Sequence, residues 1–260
     1  MFDIFVKRKQ IVVDFFTSDP HIYAYSKPVA ATKVLPQWFI DTPSSYLVED
    51  ERLDMPLREN TIKKCPGIID LYSNSIAMTC WFDGELAIHP HGNIDFRTGR
   101  GNAALTEHDR KQYGNFVKGT AARQLKLQSQ WAIRCNRDIR FMLTEPTWHN
   151  HEMYSNISVL PGLIRPKYDW STNINFITRP SSQSKSIFFE PGDPLCFLTP
   201  VTHEKFTIKS HLVSDAEAVR IGVASVKWGL FHSSDQKRTY GASYHRRIKD
   251  KLKNIHGEEK

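Results

Sequence analysis

Three features of the sequence predict a mainly β protein. Short apolar runs recur at near-even spacing, several of them alternate apolar with polar residues, and Gly, Pro, Asn, Asp and Ser punctuate them. The expected architecture is an antiparallel β-sandwich or a β-clip/barrel-like core, followed by a short helical, basic carboxy-terminal tail. The 260 residues include 15 Phe, 9 Tyr and 6 Trp and are 40% hydrophobic, which excludes disorder as the dominant state.

Taken in order, Ile11-Val-Val-Asp-Phe-Phe-Thr reads as a strand that Ser18-Asp-Pro then breaks. Lys33-Val-Leu-Pro-Gln-Trp-Phe reads as an amphipathic segment anchored by Trp38 and Phe39, and residues 44–60 as polar loop. From Thr61 the pattern changes. Ile68-Ile-Asp-Leu-Tyr, Ile76-Ala-Met-Thr-Cys-Trp-Phe and Glu85-Leu-Ala-Ile-His read as short extended runs. Asp83-Gly84 between two of them is a hairpin signal, because Gly takes positive φ without steric cost. Residues 97–122 read as a long Gly-rich loop.

Strands are then expected from Gln124, Trp131, Ile139, Ile157, Thr172, Ser186, Leu195 and Lys205. Ser214 followed by Glu217 reads as the capped start of a helix. This divides the chain into an N-terminal strand and irregular segment packed on the core (1–60), a β-rich core (61–213) and a helical region with a basic tail (214–260). Cys65-Pro-Gly-Ile-Ile and Leu160-Pro-Gly-Leu-Ile echo each other, as a duplicated unit or as independent Pro-Gly turns.

Charge is concentrated at one end. Of the net +7, residues 236–260 carry +5 and the other 235 residues only +2. Arg246, Arg247, Lys249, Lys251 and Lys253 there read as a basic arm for an acidic partner or nucleic acid, or as a solvated tail. The body is too nearly neutral to be a nucleic-acid-binding surface. No apolar run approaches a membrane span, so no membrane partner is expected. Met1 to Lys9 places apolar residues before a basic cluster, the reverse of a signal peptide. Cys65, Cys80, Cys135 and Cys196 have neither zinc spacing nor the density of a disulfide scaffold and read as reduced, inert thiols.

Two constellations could carry chemistry. In His89-Pro-His91-Gly-Asn-Ile-Asp95, two histidines at i and i+2 on a strand would share a face, and a carboxylate four residues on could join them around a divalent metal. This loosely resembles the first motif of metal-binding cupins, with Asp95 in place of Glu and Pro90 interrupting the strand. His149, His151 and Glu152 offer a second such group. Surface histidines beside Gly and Pro are the plainer reading, and the first expectation is no cofactor.

The second constellation pairs Leu160-Pro-Gly-Leu-Ile-Arg-Pro-Lys-Tyr168 with Ile187-Phe-Phe-Glu-Pro-Gly192-Asp193. It resembles dUTPase-like β-clip proteins over residues 124–202, at Pro161, Gly162, Ile164, Tyr168, Gly192 and Asp193. The resemblance implies a nucleotide pocket near Tyr168 and Asp193. Arg165, however, stands where that family has an acidic residue, and a guanidinium cannot orient water as a carboxylate does. Trp81, Trp131, Trp148, Trp170 and Phe176 could line a ligand groove or a protein interface, or form sheet core, and Trp148 and Trp170, in polar stretches, read best as exposed partner anchors.

Several longer phrases, Pro36-Gln-Trp-Phe, Thr61-Ile-Lys-Lys-Cys-Pro-Gly-Ile-Ile-Asp-Leu-Tyr, Lys126-Leu-Gln-Ser-Gln-Trp-Ala-Ile, Thr144-Glu-Pro-Thr-Trp and Phe188-Phe-Glu-Pro-Gly-Asp-Pro-Leu, resemble a protein family of large tailed phages, including those of cyanobacteria. The resemblance spans about residues 10 to 215 and implies a phage-encoded protein of the virion or host cytoplasm, not a secreted one. It supplies no catalytic residues. The sequence therefore predicts a non-enzymatic structural or partner-binding protein that works through a protein partner or self-association. The alternative is a metal-dependent cupin-like or nucleotide-binding β-clip enzyme or small-molecule binder.

Overall fold

A computed structural model describes residues 10–49, 56–99, 103–109, 111, 122–149, 151–166, 172–179 and 181–220. The protein is mainly β, as predicted. Among the described residues the strands form five sheets, and every pairing but that of β1 (Ile11–Thr17) with β17 (Phe206–Leu212) is antiparallel. The largest sheet has the order β13 (Gly162–Ile164), β11 (Phe141–Thr144), β16 (Pro194–Pro200), β5 (Ile76–Thr79), β2 (Val29–Ala30). A four-stranded sheet has the order β12 (Ile157–Val159), β14 (Ile174–Thr178), β9 (Gln124–Gln128), β8 (Ala104–Glu107). Two three-stranded sheets join β10 (Ala132–Cys135), β1 (Ile11–Thr17) and β17 (Phe206–Leu212), and β15 (Lys185–Phe189), β6 (Gly84–Ile88) and β7 (Ile94–Thr98). The fifth is a two-stranded ribbon of β3 (Ser45–Val48) and β4 (Leu57–Asn60).

One continuous core joins the four larger sheets. Ile11, Val13 and Phe15 of β1, Leu125 and Leu127 of β9, Ile174 and Phe176 of β14 and Ile187 and Phe189 of β15 all enter it from alternate strand positions. The alternation expected for half-buried strands is therefore real, and it aims each sheet at the same interior. Trp131 and Trp81 are fully buried there. The Trp131 indole N–H donates to the Ser26 carbonyl at 2.8 Å, and the Ser26 hydroxyl donates to the Thr79 carbonyl at 2.8 Å, so these two buried donors are paired.

The β5–β16 pair is buried on both faces. Ile76, Met78, Cys196 and Leu198 face the main core, while Ala77 and Phe197 face a second cluster with Ala31, Phe39, Ile68 and Tyr72. That second face is covered by the segment from Val29 to Asp41 and by a helix over Pro66–Ser73. The sequence reading placed an extended run at Ile68–Tyr72, and the structure corrects it. Pro66 occupies the first helical turn, where its missing N–H costs nothing, and Ile68 and Tyr72 sit four apart on one buried helical face. Pro-Gly at 161–162 instead enters strand β13, so the echo between the two Pro-Gly phrases is not a structural repeat.

Three further expectations change. Asp83-Gly84 does not make a hairpin, because β5 and β6 belong to different sheets and the chain crosses between them there. Gly84 is required for another reason: a Cβ would lie 2.9 Å from the Arg97 carbonyl of the paired strand β7. Residues 44–60 contain the β3–β4 ribbon, and 97–122 contain β8. The N-terminal strand does more than pack on the core. β1 lies at the centre of its sheet, antiparallel to β10 and parallel to β17, and pairs Ile11 with Phe206 and Thr17 with Leu212. The helix after β17 spans Asp215–Arg220, and the Ser214 hydroxyl accepts the Glu217 N–H at 3.2 Å, the expected cap. Among the described residues no helix is long and apolar enough to cross a membrane.

Phe197 fills the second cluster against Tyr72, with ring centroids 5.5 Å apart. Phe197→Ala should lower the free energy of unfolding by about 3–5 kcal/mol in denaturant titration. Phe188→Ala, at a side chain 60% exposed on β15, should change it by less than about 0.5 kcal/mol. Equal effects would mean that the second cluster does not hold the helical cover in place.

Candidate functional site

The His89 region is not the regular strand that its sequence suggested. β6 ends at Ile88, His89 precedes a tight 3₁₀ turn over Pro90–Gly92, and β7 begins at Ile94. Pro90 enforces the turn and Gly92 closes it with φ 81°, so His89 and His91 do not share a strand face. Asp95 does reach His89: its Oδ2 lies 3.0 Å from His89 Nε2, with Ser184 Oγ 3.3 Å from Nδ1 on the other side of the ring. The pair is open to solvent, with the Asp95 side chain 63% exposed. Arg123 locks the turn to the neighbouring sheet through its Nε, which donates to the Gly92 carbonyl at 2.7 Å, and through Glu107 at 3.1 Å. Of His91 only the backbone is described, and among the described residues no three metal-ligating side chains converge.

The second histidine group lies where the chain enters β16. His151 Nδ1 accepts the Met153 N–H at 3.1 Å, which leaves the ring proton on Nε2, 3.2 Å from Asp193 Oδ2. That oxygen is buried without an aligned donor, so the two side chains meet without a formed hydrogen bond. Burial raises the Asp193 pKa, and His151 opposes the rise. Both His151 nitrogens are thus engaged, one by backbone and one by carboxylate, and neither is free to take a proton from a nucleophile. The neighbouring thiols are unreactive: burial pushes Cys80 up to about 12 and raises Cys196 further. Tyr154 fastens the same corner, its hydroxyl donating to the Pro194 carbonyl at 2.5 Å. A cleft of about 210 Å³ opens beside His151, Glu152 and Glu190.

In the segment whose sequence resembles β-clip proteins, Arg165 forks onto Asp138, with Nε to Oδ1 at 2.7 Å and Nη2 to Oδ2 at 2.5 Å. The position where β-clip hydrolases carry an acidic residue is thus committed to an ion pair. Gly192 holds φ 98°, the left-handed turn that a Gly-Asp pair predicts. Asp193 is taken up by His151, and Tyr168 lies outside the described residues, as do Trp170 and the basic arm Arg246, Arg247, Lys249, Lys251 and Lys253. Trp148 is 36% exposed, and its carbonyl accepts the Trp38 indole N–H at 2.7 Å. Its side chain is partly covered and lies beside Trp38 at the edge of the helical layer.

One exposed apolar surface lies where the sequence reads as polar loop. On the β3–β4 ribbon Tyr46 is 50%, Leu47 62% and Leu57 43% exposed, and Ile40 and Ile62 flank its base, also exposed. Adjacent strand residues point to opposite faces, so Tyr46 and Leu47 leave both faces apolar. Thr61 and Lys63 hold the base, through the Pro43 and Ile40 carbonyls at 2.5 Å and 2.7 Å. Among the described residues β3 and β4 pair only with each other. The run Tyr46-Leu-Val was the available signal. Its brevity and its acidic surroundings made it look like loop.

Burial lowers the His149 pKa to about 4, with the nearby His151 adding to the effect. An unfolded histidine takes its proton near pH 6.5, so the unfolded chain binds a proton that the native state refuses until about pH 4. Stability from this residue is complete above pH 6.5 and is lost as pH falls through that window. The thermal midpoint should decline accordingly, and His149→Phe, a ring of similar shape against Tyr72 and Phe197, should flatten the decline. An unchanged slope in that variant would assign the acid sensitivity to other groups.

No protein-family model matches this sequence, and no curated protein matches it either.

Proposed function

We infer that this chain is a partner-binding protein of an assembly, and that the β3–β4 ribbon is the arm by which it docks. The observation that carries this reading is the exposure of Tyr46, Leu47 and Leu57 on a strand pair that no other described strand supports. A two-stranded ribbon is marginal in water by itself, and large apolar side chains on both its faces are stabilised when another protein covers them. Aromatic and aliphatic anchors on a protruding element, set on a rigid base, are what a docking surface requires. A phage-encoded role in the particle or the infected cell is the setting that the resemblance of the longer phrases implies, and it accords with such an arm.

A photo-cross-linking phenylalanine analogue in place of Tyr46 tests the reading. Illumination in the cells that produce the protein should give one discrete cross-linked species, either a second copy of the chain or one other protein. Adding Leu47→Ser and Leu57→Ser should reduce its yield by about tenfold or more with the thermal midpoint unchanged. Uncross-linked monomer alone, or a smear indifferent to those changes, would sink the proposed arm.

A further inference from the structure

A groove of about 700 Å³ runs between the last strands of two different sheets. One wall is β17, which among the described residues pairs only with β1. The other is β2 with the residues before it, Lys27 and Pro28, at the far end of the five-stranded sheet. Each wall is therefore a sheet edge. In a parallel pair, alternate residues of β17 direct their N–H and C=O groups to β1 and the intervening residues direct theirs the other way. Over seven residues this leaves a row of main-chain donors and acceptors along the groove.

The side chains around that row are of one sign. Among the described residues Lys27, Lys33 and Lys205 line the groove and no Asp or Glu does. None of the three has a carboxylate partner among the described residues. Lys27 lies 4.0 Å over the Tyr23 ring, and Glu204, beside Lys205 in sequence, is engaged by Arg137 at 3.1 Å. Between the lysines, half-buried Phe206 and Ile208 give the wall an apolar component. Lysines also guard edges against pairing with their own kind, and the same charge favours an incoming strand of opposite sign.

We propose that this groove binds an extended acidic peptide segment of a partner protein, which adds as a new strand to the edge of β17 that no described strand occupies and sets its carboxylates against Lys27, Lys33 and Lys205. Main-chain hydrogen bonds give the contact its register, and the lysines select the sequence. A strand seated there also lies beside β2, so it can join the two sheets across their edges. The site is separate from the β3–β4 ribbon, and neither reading depends on the other.

The probe is a fluorescent ten-residue peptide alternating Glu with Val or Thr, followed by anisotropy against the full chain. It should bind, and its Lys-for-Glu counterpart should not. K27E, K33E and K205E together should weaken binding about tenfold or more, with the thermal midpoint preserved because all three side chains are exposed. Two forms of the acidic peptide, N-methylated at odd or at even positions, report on the main chain using wild-type protein. At least one form should lose about tenfold in affinity, because a methylated nitrogen cannot donate to the edge. Three outcomes overturn the proposal: no binding of the acidic peptide at millimolar concentration, both methylated forms binding like the parent, or a single-stranded oligonucleotide binding more tightly and through the same lysines.

Discussion

The structure depends on one strand pair that has no solvent face. β5 and β16 separate the main core from the second cluster, so every side chain from Ile76 to Met78 and from Leu195 to Leu198 must suit one interior or the other. Burial on both sides explains why these strands read as unbroken apolar runs while β9, β14 and β15 alternate. It also explains how a mainly β protein carries a helical layer. The second face of the sheet offers Ala77 and Phe197, and a short helix that presents Ile68 and Tyr72 covers them with few residues.

The parallel pairing of β1 with β17 closes the arrangement across almost the whole described chain. Ile11 meets Phe206, and Asn136 bridges the same region by accepting the Val12 N–H at 2.9 Å and donating to the Gln10 carbonyl at 3.0 Å. Contacts so distant in sequence are expensive in chain entropy until the intervening sheets exist.

Strands with a single buried face were legible from sequence because period-two alternation reports that geometry directly: Ile11–Thr17 and Ile174–Thr178 fall where the pattern put them. The helix at Pro66–Ser73 was not legible, since eight residues with Ile-Ile and Tyr satisfy either period and only the neighbouring sheet decides. Register was hidden too. Nothing in Asp83-Gly84 says that the strands on either side belong to different sheets. For the candidate sites, residue type was visible but partnership was not. Asp193 was singled out, yet its contact with His151 depends on a fold that brings residues 42 positions apart together. Arg165 was recognised as a departure from the β-clip pattern, whereas its carboxylate partner Asp138 was not.

The same distinction separates the buried polar chemistry from the surface. Where titratable groups are buried, as at His149, Asp193, Cys80 and Cys196, the surroundings push each toward its neutral form, and the hydrogen bonds present hold the backbone in place. The solvent-exposed lysines Lys27, Lys33 and Lys205 sit instead beside sheet edges that no other described strand pairs. A sheet edge without a partner and an apolar ribbon without cover are both costs to an isolated chain, and extra strands or a longer helix could have removed either. Retaining both on opposite grounds, one electrostatic and one apolar, is what a protein needs if it is to engage two different surfaces without confusing them.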